Sequence, residues 1–305
     1  MAVADARGER DGFRLPAETH VGHVRLQVSD LGRALAFYHD LLGFRLVDRE
    51  AETAYLSATG QLPYHFVLTR HPHARPKPPN TTGLYHVAVR FAHRLALARA
   101  FRRLAAREWP FQGFSDHKVS EAIYLTDPDG LGLELYADRP RDDWPRQEGQ
   151  IAMGTEPLDV EALLAQGAGG GAWDGVDPGT DIGHVHLHVS DLARAEAFYH
   201  VLLGLDVTQR SYPGALFLSA GGYHHHLGLN LWAGQGVPPP PPDAVGLISF
   251  ALHLPDGEAW RNLLARLQAA DVAVEDRLAY PHALSALVRD PDGTGVELLA
   301  GQVAN

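Results

Sequence analysis

Residues 183–191 read GHVHLHVSD, with His184, His186 and His188 on every second position. In a β-strand successive side chains alternate between faces, so all three would project from one side. Imidazoles gathered on one face suit a metal site or a substrate pocket. A merely polar surface is the plain alternative. The chain holds 18 His, 2 Met and no Cys. Disulfides, thiolate catalysis, Cys-ligated zinc and iron–sulfur clusters are thereby excluded. A formal net charge of −11 argues against nucleic acid as a partner. No apolar run approaches the ~20 residues that span a membrane. The opening stretch, MAVADARGERDGF, lacks the apolar centre of a secretory signal. A cytoplasmic protein is expected.

The elements that hold these histidines occur twice. Residues 22–43 (GHVRLQVSDLGRALAFYHDLLG) align without gaps to residues 183–204 (GHVHLHVSDLARAEAFYHVLLG), with 17 of 22 positions identical. Each copy reads as strand, turn, helix. Val24, Leu26 and Val28 alternate with His23, Arg25 and Gln27. Asp30 and Asp191 suit helix N-caps, and Gly43 suits a C-cap. Leu31, Ala34, Leu35, Tyr38 and Leu42 then recur at helical spacing. Short strands are expected at 54–57 and 64–69, and at 215–219 and 225–231.

A weaker pair of units follows these. The first has a strand at 84–90, a helix at 92–107 and strands at 122–127 and 132–136. The second has a strand at 247–253, a helix at 258–270 and strands at 286–290 and 295–299. In both, the last two strands are joined by the turn DPDG. Proline-rich spacers, HPHARPKPPN (71–80) and VPPPPPD (237–243), join the units within each half. The expected organisation is α+β: four strand–helix–three-strand (βαβββ) modules, paired into two domains at 18–138 and 181–302. A linker at 139–180 includes GAGGG and one short helix at 158–166.

Four such modules, with GHV.L.VSDL…AFY..LLG, YHHHLGLN and DPDGxGxEL, resemble the vicinal oxygen chelate superfamily. Within it the chain resembles the two-domain catechol 2,3-dioxygenases (type I extradiol enzymes). That resemblance implies cupped mixed sheets with helices outside, and metal ligands on the first and last strands of modules. His23, His86 and Glu134 then form a two-histidine, one-carboxylate set in the first half. Such a set suits Fe(II), with Mn(II) able to replace it, and leaves coordination positions for a small aromatic diol and O2. In the second half His184 matches His23 and Glu297 matches Glu134, but Ser249 falls opposite His86. His184, His226 and Glu297 make the weaker alternative set, so the first half is expected to hold the iron. His117 and Tyr124 are expected to bond the substrate or the bound dioxygen, with His65 as a further acid–base candidate.

The implied reaction is extradiol ring cleavage to a semialdehyde. Multimers are common among such relatives, so a homo-oligomer is compatible with it. A glyoxalase-like isomerase or lyase would want a fourth protein ligand, and that position falls near Val67. A metal-free protein that sequesters small molecules would want an apolar cup without the inward Glu134.

Overall fold

The computed structural model describes residues 12–169, 173–276 and 283–301. Most of the opening stretch, the last two glycines of GAGGG and residue 302, the expected end of the second half, lie outside them.

Each quarter of the chain folds as one βαβββ module. The first comprises β1 (His20–Val28), α1 (Leu31–Leu35), β2 (Arg45–Arg49), β3 (Thr53–Ser57) and β4 (Phe66–Arg70). The second comprises β5 (Gly83–Phe91), α2 (Arg94–Ala105), β6 (Phe111–Asp116), β7 (Ser120–Thr126) and β8 (Gly132–Asp138). A connecting segment carries β9 (Arg146–Gln147), β10 (Gln150–Ile151) and α3 (Val160–Gln166). The third module comprises β11 (Asp181–His188), α4 (Leu192–Glu196), β12 (Asp206–Gln209), β13 (Ala215–Ser219) and β14 (Leu227–Asn230). The fourth comprises β15 (Gly246–Leu254), α5 (Gly257–Ala269), β16 (Glu275–Asp276), β17 (Leu284–Arg289) and β18 (Gly295–Ala300).

Local signals in the sequence explain the element ends. The Asp30 carboxylate accepts from the Arg33 amide at 2.7 Å, and Asp191 accepts from Arg194 at 2.9 Å. Both helices continue past their α-helical turns into π-helical turns, Ala36–Leu41 and Ala197–Leu202. Gly43 and Gly204 then end them with φ of 89° and 90°, a conformation that favours glycine. Val24, Leu26 and Val28 are fully buried and join Phe37 and Tyr38 in the core between sheet and helix.

The modules do not pair as consecutive neighbours. One eight-stranded sheet runs β16-β17-β18-β15-β1-β4-β3-β2, and the other runs β12-β13-β14-β11-β5-β8-β7-β6. Module one therefore shares a sheet with module four, and module two with module three. The central joins, β1 with β15 and β5 with β11, are antiparallel. The sheets do not follow the divisions 18–138 and 181–302, because each sheet draws one module from either half. Period-two patterning fixes which face of a strand is buried, and it is indifferent to which module supplies the neighbouring edge.

The proline-rich connectors carry the chain between the sheets, side by side. Arg75 in one exchanges backbone bonds with Asp243 and Val245 beside the other, at 2.8 Å each. Outside the sheets, each half is tied together by its repeated motifs. Ser29 of VSD donates from its amide and hydroxyl to Asp129 of the first DPDG, at 2.8 and 2.6 Å. Ser190 makes the same pair of bonds to Asp292 of the second DPDG. Tyr38 donates to Asp127 at 3.1 Å, and Tyr199 to Asp290 at 2.9 Å.

Candidate metal centre

The pairing of β11, β5 and β8 brings three donors to one point. Ala88 of β5 is opposite His184 on the antiparallel side and Glu134 on the parallel side. His86 lies two residues back on the same face of β5. Glu134 Oε2 is 3.0 Å from His86 Nε2 and 3.2 Å from His184 Nε2. One ligand atom from each lies within 4.8 Å of the others, and all three residues are buried. Among the described residues this is the one such group of three.

The donor set fits a cation. His86 Nε2 is buried and has no hydrogen-bond partner of adequate geometry, despite its closeness to the carboxylate. Leaving such groups unmatched in the interior is costly, and a cation between them removes the cost. Burial pushes His184 down to about 4, outweighing the pull of Glu134, so its imidazole is neutral near pH 7. Burial alone would push Glu134 up, but the imidazoles of His184 and His86 outweigh it and hold it well below the usual carboxylate range. A neutral imidazole and an ionised carboxylate are the forms that ligate a metal.

A cavity of about 210 Å³ opens over this triad. Tyr85, Phe217 and Trp232 give it an aromatic wall, and His86, Glu134, His186 and His225 also line it. On the opposite side His117 Nε2 meets the Tyr124 hydroxyl at 2.6 Å, and His117 Nδ1 meets the Gly154 carbonyl at 2.6 Å. A carbonyl only accepts, so Nδ1 carries a proton, and Nε2 is the nitrogen paired with the Tyr124 hydroxyl. Met153, Gly154 and Thr155 close the cavity from the connecting segment, which is bridged to β6 through Asp116 and Glu156. The linker is thus a wall of the site, a role its composition does not signal.

The structure regroups the expected ligands. His86 and Glu134 meet His184, not His23. His23 lies in the other sheet, its Nε2 3.2 Å from Glu297 Oε2. The two sets His23–His86–Glu134 and His184–His226–Glu297 therefore do not assemble, because each mixes residues from both sheets. His226 does not face the cavity: its Nδ1 accepts from the Ala220 amide at 3.2 Å. His65, its counterpart, accepts from the Ala58 amide at 3.1 Å in the other sheet, away from the triad. Both imidazoles anchor a turn. Tyr124 and His117 do lie at the cavity.

His225 is the cavity residue that strand alternation misplaces. The strand begins only at Leu227, so period two does not extend back through YHHH. His225 instead turns against His184, with ring centroids 4.0 Å apart. Its position inside a histidine run was the available signal. His186 also points into the cavity, held over Gly228, where a Cβ would come within 2.8 Å of its ring.

The chain matches the Glyoxalase/Bleomycin resistance protein/Dioxygenase superfamily over residues 20–135 and 181–298. The chain belongs to that superfamily. Its two matched segments are the two sequence halves, and each contributes a module to the triad's sheet. The chain is also 43% identical over 263 residues to a catechol-2,3-dioxygenase of Bacillus subtilis, covering 85% of this chain and 91% of that one. It is thus a homologue of that enzyme. In fold it is similar to a putative dioxygenase from Bacillus subtilis, with TM-score 0.64 and 15% identity over 94% of this chain and 86% of that one. Glyoxalase I from Zea mays has the same fold, with TM-score 0.56 and 18% identity over 92% of both chains. Within the superfamily fold, His86, Glu134 and His184 form a metal-binding triad. Among the described residues no helix is long and apolar enough to cross a membrane.

Proposed function

We propose that the protein is an Fe(II)-dependent extradiol dioxygenase that opens a catechol-type ring with O2 to give a semialdehyde. The observation that carries this is a triad of two histidines and one carboxylate at the floor of an aromatic-walled cavity. Kinship with a catechol-2,3-dioxygenase supports it. Mn(II) suits the same donors. His86, Glu134 and His184 would hold the metal, which when bound would supply Lewis-acid and electron-transfer chemistry to the diol and O2.

The remaining work falls to the chain. Tyr85, Phe217 and Trp232 hold the ring flat and exclude water. His225, beside the triad, takes a diol proton. His117 and Tyr124, hydrogen-bonded as a pair, hold a proton on the far side and return it as the ring opens. Diol and O2 together contain every atom of the semialdehyde, so no external reductant is needed. A four-ligand isomerase is disfavoured because Gly228 stands at the matching strand position in this sheet, as Val67 does in the other.

Anaerobic purification, elemental analysis and addition of catechol with O2 test the reading. One metal per chain, one O2 consumed per diol and a yellow product are expected. Iron bound at one per chain with neither oxygen uptake nor colour, across plain and alkylated catechols, would overturn it.

A further inference from the structure

We propose that Asp138 and His224 form a hydrogen-bonded anchor that fixes the tautomer of His225 and leaves its Nε2 lone pair for the cavity. The inference deepens the reading above and rests on it for its catalytic meaning. Asp138 Oδ1 is 2.8 Å from His224 Nε2, and His224 Nδ1 is 2.8 Å from His225 Nδ1. A carboxylate only accepts, so His224 Nε2 carries its proton. With its one proton on Nε2, the His224 ring offers a lone pair at Nδ1, and His225 donates to it from Nδ1. A neutral His225 is left with a bare Nε2 as the nitrogen available to a bound diol. This second hydrogen bond sets the tautomer of a working imidazole.

The anchor is itself held. Asp138 Oδ2 accepts from the Tyr223 hydroxyl at 2.9 Å, with the Arg90 guanidinium 3.6 Å away. His224 is fully buried, its ring 4.0 Å from that of Tyr223 and 5.1 Å from that of Trp144. The duplication supplies an internal control. His226 and His65 occupy equivalent places, each taking the amide of a matched alanine. Counting back, His225 and His224 correspond to Tyr64 and Pro63. Gly132 and Gly295 open matched strands, so Asp138 corresponds to Gly301. All three members occur beside the triad, and none has a like counterpart in the other sheet. Asp138 and His224 are positioning residues; they act through His225.

His224→Phe keeps an aromatic ring in place and removes both nitrogens. Nitrogen-15 histidine spectra of the metal-free protein should show His225 protonated at Nδ1, and this signature should be lost in H224F. Turnover of catechol should fall about tenfold to a hundredfold, with KM for the diol and iron content unchanged. Asp138→Ala should move both readouts the same way, and Asp138→Glu should restore part of each. A native His225 protonated at Nε2, or unchanged kcat in both H224F and D138A, would overturn the anchor. If the native protein cleaves no diol yet His225 shows the Nδ1–H form, the anchor stands and the assigned reaction falls.

Discussion

The two sheets carry the same four strand positions and fill them differently. In one, His184, His86 and Glu134 converge, with His186 opposite His86. In the other, the matching residues are His23, Ser249 and Glu297, with Arg25 opposite Ser249. There one oxygen of the carboxylate, Oε1, is already bonded by the chain itself. Ser249 Oγ donates to Glu297 Oε1 at 2.5 Å, Arg25 Nε lies 3.4 Å from the same oxygen, and His23 Nε2 lies 3.2 Å from Oε2. The arginine brings the positive charge that a metal would bring at the triad. One duplicated frame thus surrounds the same buried carboxylate in two ways, with a metal-binding set of histidines or with a guanidinium.

The comparison breaks most visibly on ligand removal. His86→Ala or Glu134→Gln should abolish stoichiometric metal binding. It should also lower ring-cleavage turnover by on the order of 10³-fold or more, the several kcal/mol of Lewis-acid stabilisation being lost. Glu297→Gln should leave metal at one per chain and turnover within about twofold. Elemental analysis and oxygen uptake on the three variants decide it, and loss of metal from E297Q would assign the sites the other way.

The closed cup should instead reveal itself in acid. Burial would raise the Glu297 carboxyl, but the hydrogen bond and charge of His23, with Ser249 and Arg25, outweigh it and hold it down at about 2. A carboxyl depressed in the folded state stabilises the protein above its unfolded value. That contribution is lost as pH falls from about 4.5 towards 2. Its size is on the order of 3 kcal/mol. Urea unfolding at pH 7, 5 and 3 should show a steeper acid loss for the native protein than for E297Q. Parallel profiles would mean that the ion pair contributes nothing.

Much of this contrast could be read from residue order alone. The duplication, the βαβββ modules and the caps at Asp30 and Asp191 follow from motif and period, and the pairing of Glu134 with His86 from the family resemblance. Ser249 opposite His86 already marked one set as short of a ligand. Sheet partnership could not be read. His23 and His184 hold the same position in twin strands, and alternation places either one beside a neighbour equally well; only long-range pairing chooses. The same ignorance hid the linker's wall at Met153–Thr155. His225 was lost for a local reason, the irregular backbone before Leu227.

Among single changes that spare the ligands, His117→Gln should lower turnover about tenfold or more, with the metal retained. Gln cannot take up and return a proton beside Tyr124 as imidazole can. His65→Gln, made in the other sheet at the turn that matches His226, should leave turnover unchanged. It should cost about 1 kcal/mol of stability through the Ala58 amide bond. Equal effects of the two on turnover would erase the functional difference between the sheets.

The smallest expected effect is also the most direct test of why the cups differ. Arg25→His with Ser249→His writes the residues of the working sheet into its twin, reproducing His186 and His86. The backbone is prepared for this: Ala251 lies opposite Glu297 as Ala88 lies opposite Glu134. Removing the guanidinium leaves Glu297 buried without its cation, and adding an imidazole at 249 completes two histidines and a carboxylate. Metal content should rise from one towards two per chain, with the second ion the weaker because His224 and His225 have no histidine counterpart there. Serine-to-histidine alone, with Arg25 in place, should stay at one, since guanidinium and metal would compete for the same carboxylate. A double variant that also stays at one would show that ligand identity does not account for the difference and that the strand geometry of the second cup has itself diverged.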